Sequence, residues 1–331
     1  MMKNIKTQGW SWVPSIYYAE GLPYAIVIIV STIMYKNLGL TNTEIALYTS
    51  WLYLPWVIKP LWSPLVEILK TNRFWIISMQ IIIGSCLAGI ALTLPSSNFL
   101  QYSLAFMWLL AFSSATHDIA VDGFYMMALP SKSQAWFIGI RNTFYRFAIL
   151  TGQGLIVILA GVFQNWTGDI FRAWSILFMC LSILFLIFGL YHSWRLPHPI
   201  SDSLKQNLNI NKIFQNYFKI FKSFFTKPNA ITAISFMLLY RLGEAQLSKI
   251  APLFMLDSID NGGLGLSNIQ LGFINGTIGL ILLTLGGILG AGTTSAAGLG
   301  AGVVGGGIVG GPFGAIVAGS IGGVVGAGVG L

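Results

Sequence analysis

Apolar residues in this chain fall in continuous blocks of roughly 20, the length that crosses a hydrocarbon core. They do not alternate with polar residues as in a half-buried strand. Eight such blocks lie at about 14–34, 43–64, 74–94, 99–128, 134–162, 173–194, 229–256 and 268–290. No water satisfies backbone N–H and C=O groups inside a bilayer, so each block must be a helix or part of a closed barrel. Continuous apolar runs leave the helix. The blocks at 99–128 and 134–162 exceed one crossing, which fits tilt or extension beyond the membrane. Short links punctuate the blocks: Leu94-Pro95-Ser96-Ser97, Leu129-Pro130-Ser131 and Gly262-Gly263-Leu264-Gly265. The pattern predicts an all-α, polytopic membrane protein.

Composition narrows the class further. Of the 331 residues, 8% are charged and 55% hydrophobic, against about 25% charged in soluble domains. The formal net charge of +8 does not mark a nucleic-acid partner, because the basic residues sit in links between apolar blocks, where they set orientation. One set of links holds Lys3, Lys6, Lys70, Arg73, Lys132, Arg195, Lys205, Lys212, Lys219, Lys222 and Lys227. The other holds Lys36 and Arg172, with Asp169, Asp257 and Asp260 beside them. The first set is therefore expected in the cytoplasm, together with the N-terminus, and the chain in a bacterial inner membrane. The first block reads as an uncleaved helix. Cys86 and Cys180 lie inside apolar blocks, which argues against a disulfide framework or a zinc site.

The connection at 195–228 is the one long polar link. Its apolar and aromatic pairs, Ile213-Phe214, Tyr217-Phe218, Ile220-Phe221 and Phe224-Phe225, recur among lysines with helical period, predicting an amphipathic helix on the inner leaflet. A repeat flanks this link. Leu38-Gly39-Leu40-Thr41-Asn42 follows the first block and Leu264-Gly265-Leu266-Ser267-Asn268 follows the seventh, with Glu44-Ile45-Ala46 continuing against Gln270-Leu271-Gly272. A parallel repeat that begins after six helices is the plan of the major facilitator superfamily. The expected organisation is a complete N-terminal six-helix half (1–194), a cytoplasmic linker (195–228), the first two helices of an incomplete C-terminal half (229–290) and a Gly-rich low-complexity tail (291–331).

Ionisable groups within apolar spans are costly and usually mark a cavity or a function. Here they are Glu20, Lys59, His117, Asp118, Asp122, Arg141, Arg146, Arg241, Glu244 and Lys249. Asp118 and Asp122 are four apart on one helix face, so their carboxylates are neighbours and suit proton loading. Arg241 and Glu244 are three apart and can pair. Arg141 and Arg146 point to different faces. Together the set predicts a polar central cavity. His117 and Asp122 also fit the H-x-x-x-x-D spacing of membrane acyltransferases, but two residues without a further acyltransferase block do not support an enzyme. Metal binding by His117, Asp118 and Asp122 is discounted because the sequence shows no second histidine in a helix core.

Specific strings carry a resemblance. Glu20-Gly21-Leu22-Pro23, Lys59-Pro60-Leu61-Trp62-Ser63-Pro64-Leu65-Val66-Glu67, His117-Asp118-Ile119-Ala120-Val121-Asp122-Gly123 and Tyr240-Arg241-Leu242-Gly243-Glu244-Ala245-Gln246 resemble the AmpG-type muropeptide permeases and the related acetyl-CoA transporters of the major facilitator superfamily. The resemblance implies proton-coupled import of an anionic peptide-sugar, an anhydro-muropeptide, with the proton gradient as energy source and no cofactor. On that reading Glu20, Arg141, Arg146, Arg241, Glu244 and Lys249 bind substrate. Asp118, Asp122 and His117 couple the proton, and Glu67, Lys70 and Arg73 gate the cytoplasmic side. The lipid bilayer and a small-molecule substrate are the expected partners. His117 stands where the family has glutamine, and the loop after the second block lacks the family's basic run. The alternative expectation is a truncated, non-transporting membrane protein of the same ancestry.

Overall fold

The computed structural model describes residues 9–199 and 230–281, with positions 219, 222 and 226 between them; the side chains of Glu67, Arg241 and Glu244 lie outside it. The predicted amphipathic linker and the Gly-rich tail fall outside the described residues. Within them every element is a helix. In chain order these are α1 (Val13–Asn37), α2 (Asn42–Ser50), α3 (Leu54–Ile58), α4 (Ser63–Leu69), α5 (Asn72–Thr93) and α6 (Phe99–Ala128). They continue with α7 (Ser131–Thr167), α8 (Ile170–Arg195), α9 (Ala230–Leu256) and α10 (Asn268–Phe273). Among them α1, α5, α6, α7 and α8 are each long and apolar enough to cross a membrane. The chain is an all-α polytopic membrane protein.

The second apolar block departs from the continuous helix expected over 43–64. It is three short helices, α2, α3 and α4, joined by 3-10 turns at Trp51–Tyr53 and Lys59–Leu61. Pro55, Pro60 and Pro64 are the reason, since each lacks an N–H donor and its ring clashes with the preceding turn. Pro55 and Pro64 sit in the first turns of α3 and α4, where the missing donor costs nothing. The break leaves Lys59 in a 3-10 turn beside α6.

Helices α5, α6 and α8 pack side by side, and α1 lies against α7 and α6. Two small residues set the α1–α7 distance. A Cβ on Gly21 would fall 2.7 Å from the Tyr145 carbonyl oxygen, and one on Gly152 would fall 2.5 Å from the Ala25 methyl. Larger side chains there would push the two backbones apart. Both helices also contain a π-helical turn, Ile26–Val30 in α1 and Thr151–Ile156 in α7. In α1 it follows Pro23, which already interrupts the ladder.

The contact between α7 and α10 uses glycine as well. Gly272 and Gly276 are four apart, so they line one face; a Cβ on Gly276 would meet the Gly154 Cα at 2.7 Å, and one on Gly272 the Gly154 carbonyl at 2.7 Å. Small residues at this spacing let membrane helices approach backbone to backbone.

The sequence repeat is also a structural one. Gly39 and Gly265 both adopt positive φ, +92° and +62°, a region glycine enters without steric cost. Each is followed by a capping box. The Thr41 hydroxyl oxygen accepts from the Glu44 N–H at 3.3 Å, while the Glu44 carboxylate accepts from the Thr41 N–H at 2.9 Å. At the second copy the Ser267 oxygen accepts from the Gln270 N–H at 3.3 Å, and Gln270 Oε1 accepts from the Ser267 N–H at 2.9 Å. Two segments of similar sequence therefore start α2 and α10 by the same hydrogen bonds.

Candidate functional site

The close α1–α7 approach, together with the break at Lys59, gathers a charged cluster on four elements. Glu20 and Tyr17 come from α1, Lys59 from the turn after α3, Asp118 and Asp122 from α6, and Arg141 from α7. Lys59 forms an ion pair with Asp118. Arg141 Nη2 lies 3.1 Å from Asp122 Oδ1, and the Tyr17 hydroxyl donates to the same oxygen at 3.3 Å. The Arg141 guanidinium also stacks over the rings of Tyr17 (4.7 Å) and Tyr125 (5.2 Å), a desolvated cation on aromatic faces. Glu20 is buried with Asp118, Asp122 and Arg141 as its charged neighbours. The sequence placed the two aspartates side by side on α6. Tertiary packing gives each its own cation on a different helix, which like-charge spacing alone does not reveal.

Behind the cluster lies a second polar string, made within the bundle. The Gln80 amide bridges two histidines: its Nε2 is 3.0 Å from His117 Nε2, and its Oε1 is 3.0 Å from His192 Nδ1. His192 Nε2 in turn lies 3.0 Å from Ser15 Oγ. Gln80, His117 and His192 are fully buried, and the string ties α5, α6, α8 and α1 together. This corrects the expectation that no second histidine occupies a helix core. His192 belongs to the last turn of α8, and a position so near a helix end reads from sequence as an interfacial residue. His117 thus faces Gln80, one residue from Asp118 in the chain but on another side of α6. Among the described residues no group of three potential metal ligands forms.

A third polar region closes the end of the bundle where α1 finishes. Lys36 forms an ion pair with Asp257. Asn42 Nδ2 donates to the other Asp257 oxygen at 2.8 Å, and Lys36 also donates to Asn42 Oδ1 at 2.7 Å. These hydrogen bonds, from Lys36 first and Asn42 second, hold the Asp257 carboxyl below the usual carboxylate range. Asn268 Nδ2 donates to Asn37 Oδ1 at 2.5 Å. Deeper in the same seam Lys249 of α9 donates to the Ile28 carbonyl (3.2 Å), Thr32 Oγ1 (3.2 Å) and Thr49 Oγ1 (3.0 Å). The accepting carbonyl lies inside the π turn of α1. Apart from the Lys36–Asn42 bond, each of these bonds joins the segment before the linker to the segment after it. A cavity of about 290 Å³ opens here, lined by Thr32, Asn42, Lys249, Leu253 and Asp257 among others. It shares no lining residue with the charged cluster and is at the small end for a ligand site.

The remaining sequence candidates are dispersed. Arg146 is half-buried on α7, five positions beyond Arg141. Arg241 and Glu244 are in α9, with side chains outside the described residues. Of the loop candidates, Arg73 donates to the Ser193 carbonyl, linking α5 to the end of α8, and Lys70 lies 5.8 Å from the Phe74 ring centre. Residues that sequence reasoning left without a role include Tyr17, Gln80, His192, Lys36, Asn42 and Asp257. Only the position of Lys36 and Asp257, each just before one copy of the repeat, offered a signal for them.

The sequence is similar to those of known proteins. The sequence profile of the BT1 family matches residues 20–240. The anhydromuropeptide permease of Escherichia coli (strain K12) is 25% identical over 285 residues, covering 82% of this chain and 52% of that protein. Putative transporter AmpG 2 of Rickettsia typhi is 28% identical over 244 residues, 71% of this chain and 54% of that protein. Putative transporter AmpG 4 of Rickettsia conorii is 25% identical over 284 residues, 82% of this chain and 64% of that protein. The chain spans about half the length of the first two of these relatives. The family match takes in Glu20, Lys59, Asp118, Asp122 and Arg141 and more than half of the sequence, and on that extent the chain belongs to the BT1 family.

Proposed function

We propose that this chain carries the charged machinery of a secondary transporter that imports an anionic peptide-sugar, an anhydro-muropeptide or a similar solute, with the proton gradient. The observation that supports it is the cluster of three carboxyls and two cations on four elements of a membrane bundle. Such a set is costly to keep in a bilayer, and packing alone would be served as well by apolar residues. Arg141, with Arg146, Arg241 and Lys249, supplies positive charge for an anionic cargo, while the carboxyl groups of Asp118, Asp122 and Glu20 are the candidates for the proton. Relatives named as an anhydromuropeptide permease and as putative transporters favour the same cargo class.

The organisation proposed is a six-helix half at 1–194 followed by the beginning of a second half at 229–290. The basic residues at the Lys70–Arg195 end favour a cytoplasmic side for that end and for the N-terminus. The seam of Lys36, Asn42, Asp257 and Lys249 then lies on the periplasmic side and is closed, while Glu67, Lys70 and Arg73 stand at the cytoplasmic mouth. The test is uptake of labelled anhydro-muropeptide by cells expressing the chain in a strain lacking other muropeptide permeases. Uptake above the empty strain, reduced at least tenfold by Asp122→Asn and abolished by an uncoupler, is the expected result. Uptake equal to the empty strain overturns transport by this chain.

A further inference from the structure

The charged cluster does not balance. Glu20, Asp118 and Asp122 are three carboxyl groups, and Lys59 and Arg141 are the cations placed among them in the described residues. Both cations are committed elsewhere: Lys59 to Asp118, and Arg141 to Asp122, which also accepts from Tyr17. Glu20 is 7% exposed, and its Oε2 has no hydrogen-bond partner. The groups that face it are Tyr17 on its own helix, Asp118 and Asp122 on α6, and Arg141 and Tyr145 on α7. Two of these are anions, two are phenols, and the one cation is shared with Asp122. An ionised Glu20 would be a buried anion beside the partly exposed carboxylates of Asp118 and Asp122, which already hold the two cations, and such a group is neutralised rather than left bare. Backbone sterics keep it there. Gly21 lets α7 approach so closely that the α1 turn carrying Glu20 is held against Tyr145.

We propose that Glu20 holds a proton in this conformation, so that the cluster contains three carboxyl groups, two cations and one bound proton, and that Glu20 is the group loaded and unloaded during transport. Asp118 and Asp122 serve as the fixed counter-charges that make its ionisation unfavourable until the cluster rearranges. On release the Glu20 O–H bond breaks and the proton passes to water; the carboxylate left behind requires that Arg141 or Lys59 turn toward it. Release is thereby tied to a movement of α7 or of the α3–α4 break against α1. The coupling role rests on the transport reading above, whereas the bound proton does not.

Infrared difference spectroscopy on the full chain in lipid nanodiscs, between neutral and strongly alkaline buffer, reads the proton directly. The expected spectrum has the C=O stretch of a protonated carboxyl at neutral pH. The band is lost in Glu20→Gln and kept in Glu244→Gln and Asp122→Asn. Carboxyl-13C glutamate incorporated into the unmodified chain shifts the band, and labelled aspartate does not, so the assignment survives a variant that fails to fold. Absence of the band in the unmodified chain, its persistence in Glu20→Gln, or its response to labelled aspartate overturns the proposal. If the band behaves as expected while cells show no uptake, the transport reading fails and the proton site stands.

Discussion

Two polar regions of this protein are built from the same residue types and behave differently. The cluster around Asp118 and Asp122 lies within a single bundle, between α1, α6, α7 and the broken second span, and its ion pairs are shielded by Tyr17, Tyr125 and Tyr145. The seam around Asp257 joins the segment before the linker to the segment after it, at the helix ends, and its ion pair (18% and 19% exposed) is no more open to solvent than those of the cluster. The first set spreads its charges over elements of one bundle, so a change there is felt within the bundle. The second set clasps two segments, so a change there is felt between them. The elements that each set joins, not residue identity or burial, distinguish the two.

The widest separation between the regions should appear when single charges are stranded. Lys59→Met or Asp118→Asn leaves its partner unpaired. A buried pair broken this way costs about 3–5 kcal/mol, reduced here to about 2–3 kcal/mol because both side chains keep some solvent contact. The double variant should recover more than half of that loss, read as the midpoint of thermal unfolding in detergent. Equal losses in single and double variants would mean that the pair is not coupled.

Next in size is the histidine string. Gln80→Leu strands hydrogen-bonding nitrogens of both His117 and His192 at fully buried positions. A buried unsatisfied group costs about 1–3 kcal/mol, so the melting temperature should fall measurably while the seam, probed by cross-linking across it, stays closed. A Gln80→Glu variant would sharpen the point, because a second acceptor at Nε2 must recruit a proton from one of the histidines.

Glycine contacts give a comparable effect of opposite location. Gly276→Leu places a side chain where the Gly154 backbone now lies, an overpacking typically worth about 1–3 kcal/mol. It should separate α10 from α7 and increase protease access at the 262–265 loop, without altering the charged cluster. If access is unchanged, the two helices are not held by backbone contact.

The smallest effect belongs to the seam. Asp257→Asn removes a pair at the ends of α1 and α9, outside the apolar cores of the spans, worth about 0.5–1 kcal/mol. Asp257 has its carboxyl depressed in the folded chain, so its contribution is complete above the ordinary carboxylate value of about 3.9 and is lost as pH falls through the lower folded value. Acidification should therefore raise cross-seam separation in the unmodified chain, measured by spin labels at Thr43→Cys and Asp260→Cys in a background lacking Cys86 and Cys180. The Asp257→Asn chain should show that separation already at neutral pH. A Lys36→Asp/Asp257→Lys exchange should restore the closed distance, and failure to do so would show that the pair is incidental.

Much of the architecture was open to reading from one chain. Blocks of twenty apolar residues oblige a helix wherever water is excluded, and the Leu-Gly-Leu-Thr/Ser-Asn strings around residues 38 and 264 carry their own fold, a glycine at positive φ and then a capping box. Local chemistry suffices for both. It did not suffice at 43–64, where Pro55, Pro60 and Pro64 outweighed the apolar pattern and left Lys59 at a break. Nor did it suffice for His192, whose place near a helix end concealed complete burial.

What the sequence determined by itself is the class of solvent the chain lives in, the helices that this solvent imposes and the short list of charges set within them, because each follows from hydropathy and period within some twenty residues. Only the tertiary structure decided which charges meet. Asp118 and Asp122 are four residues apart yet have separate partners, whereas Lys36 and Asp257 are more than two hundred residues apart and pair with each other. Pairing depends on how closely helix backbones approach, and glycines at 21, 152, 154, 272 and 276 set that distance only once their neighbours across the bundle are in place.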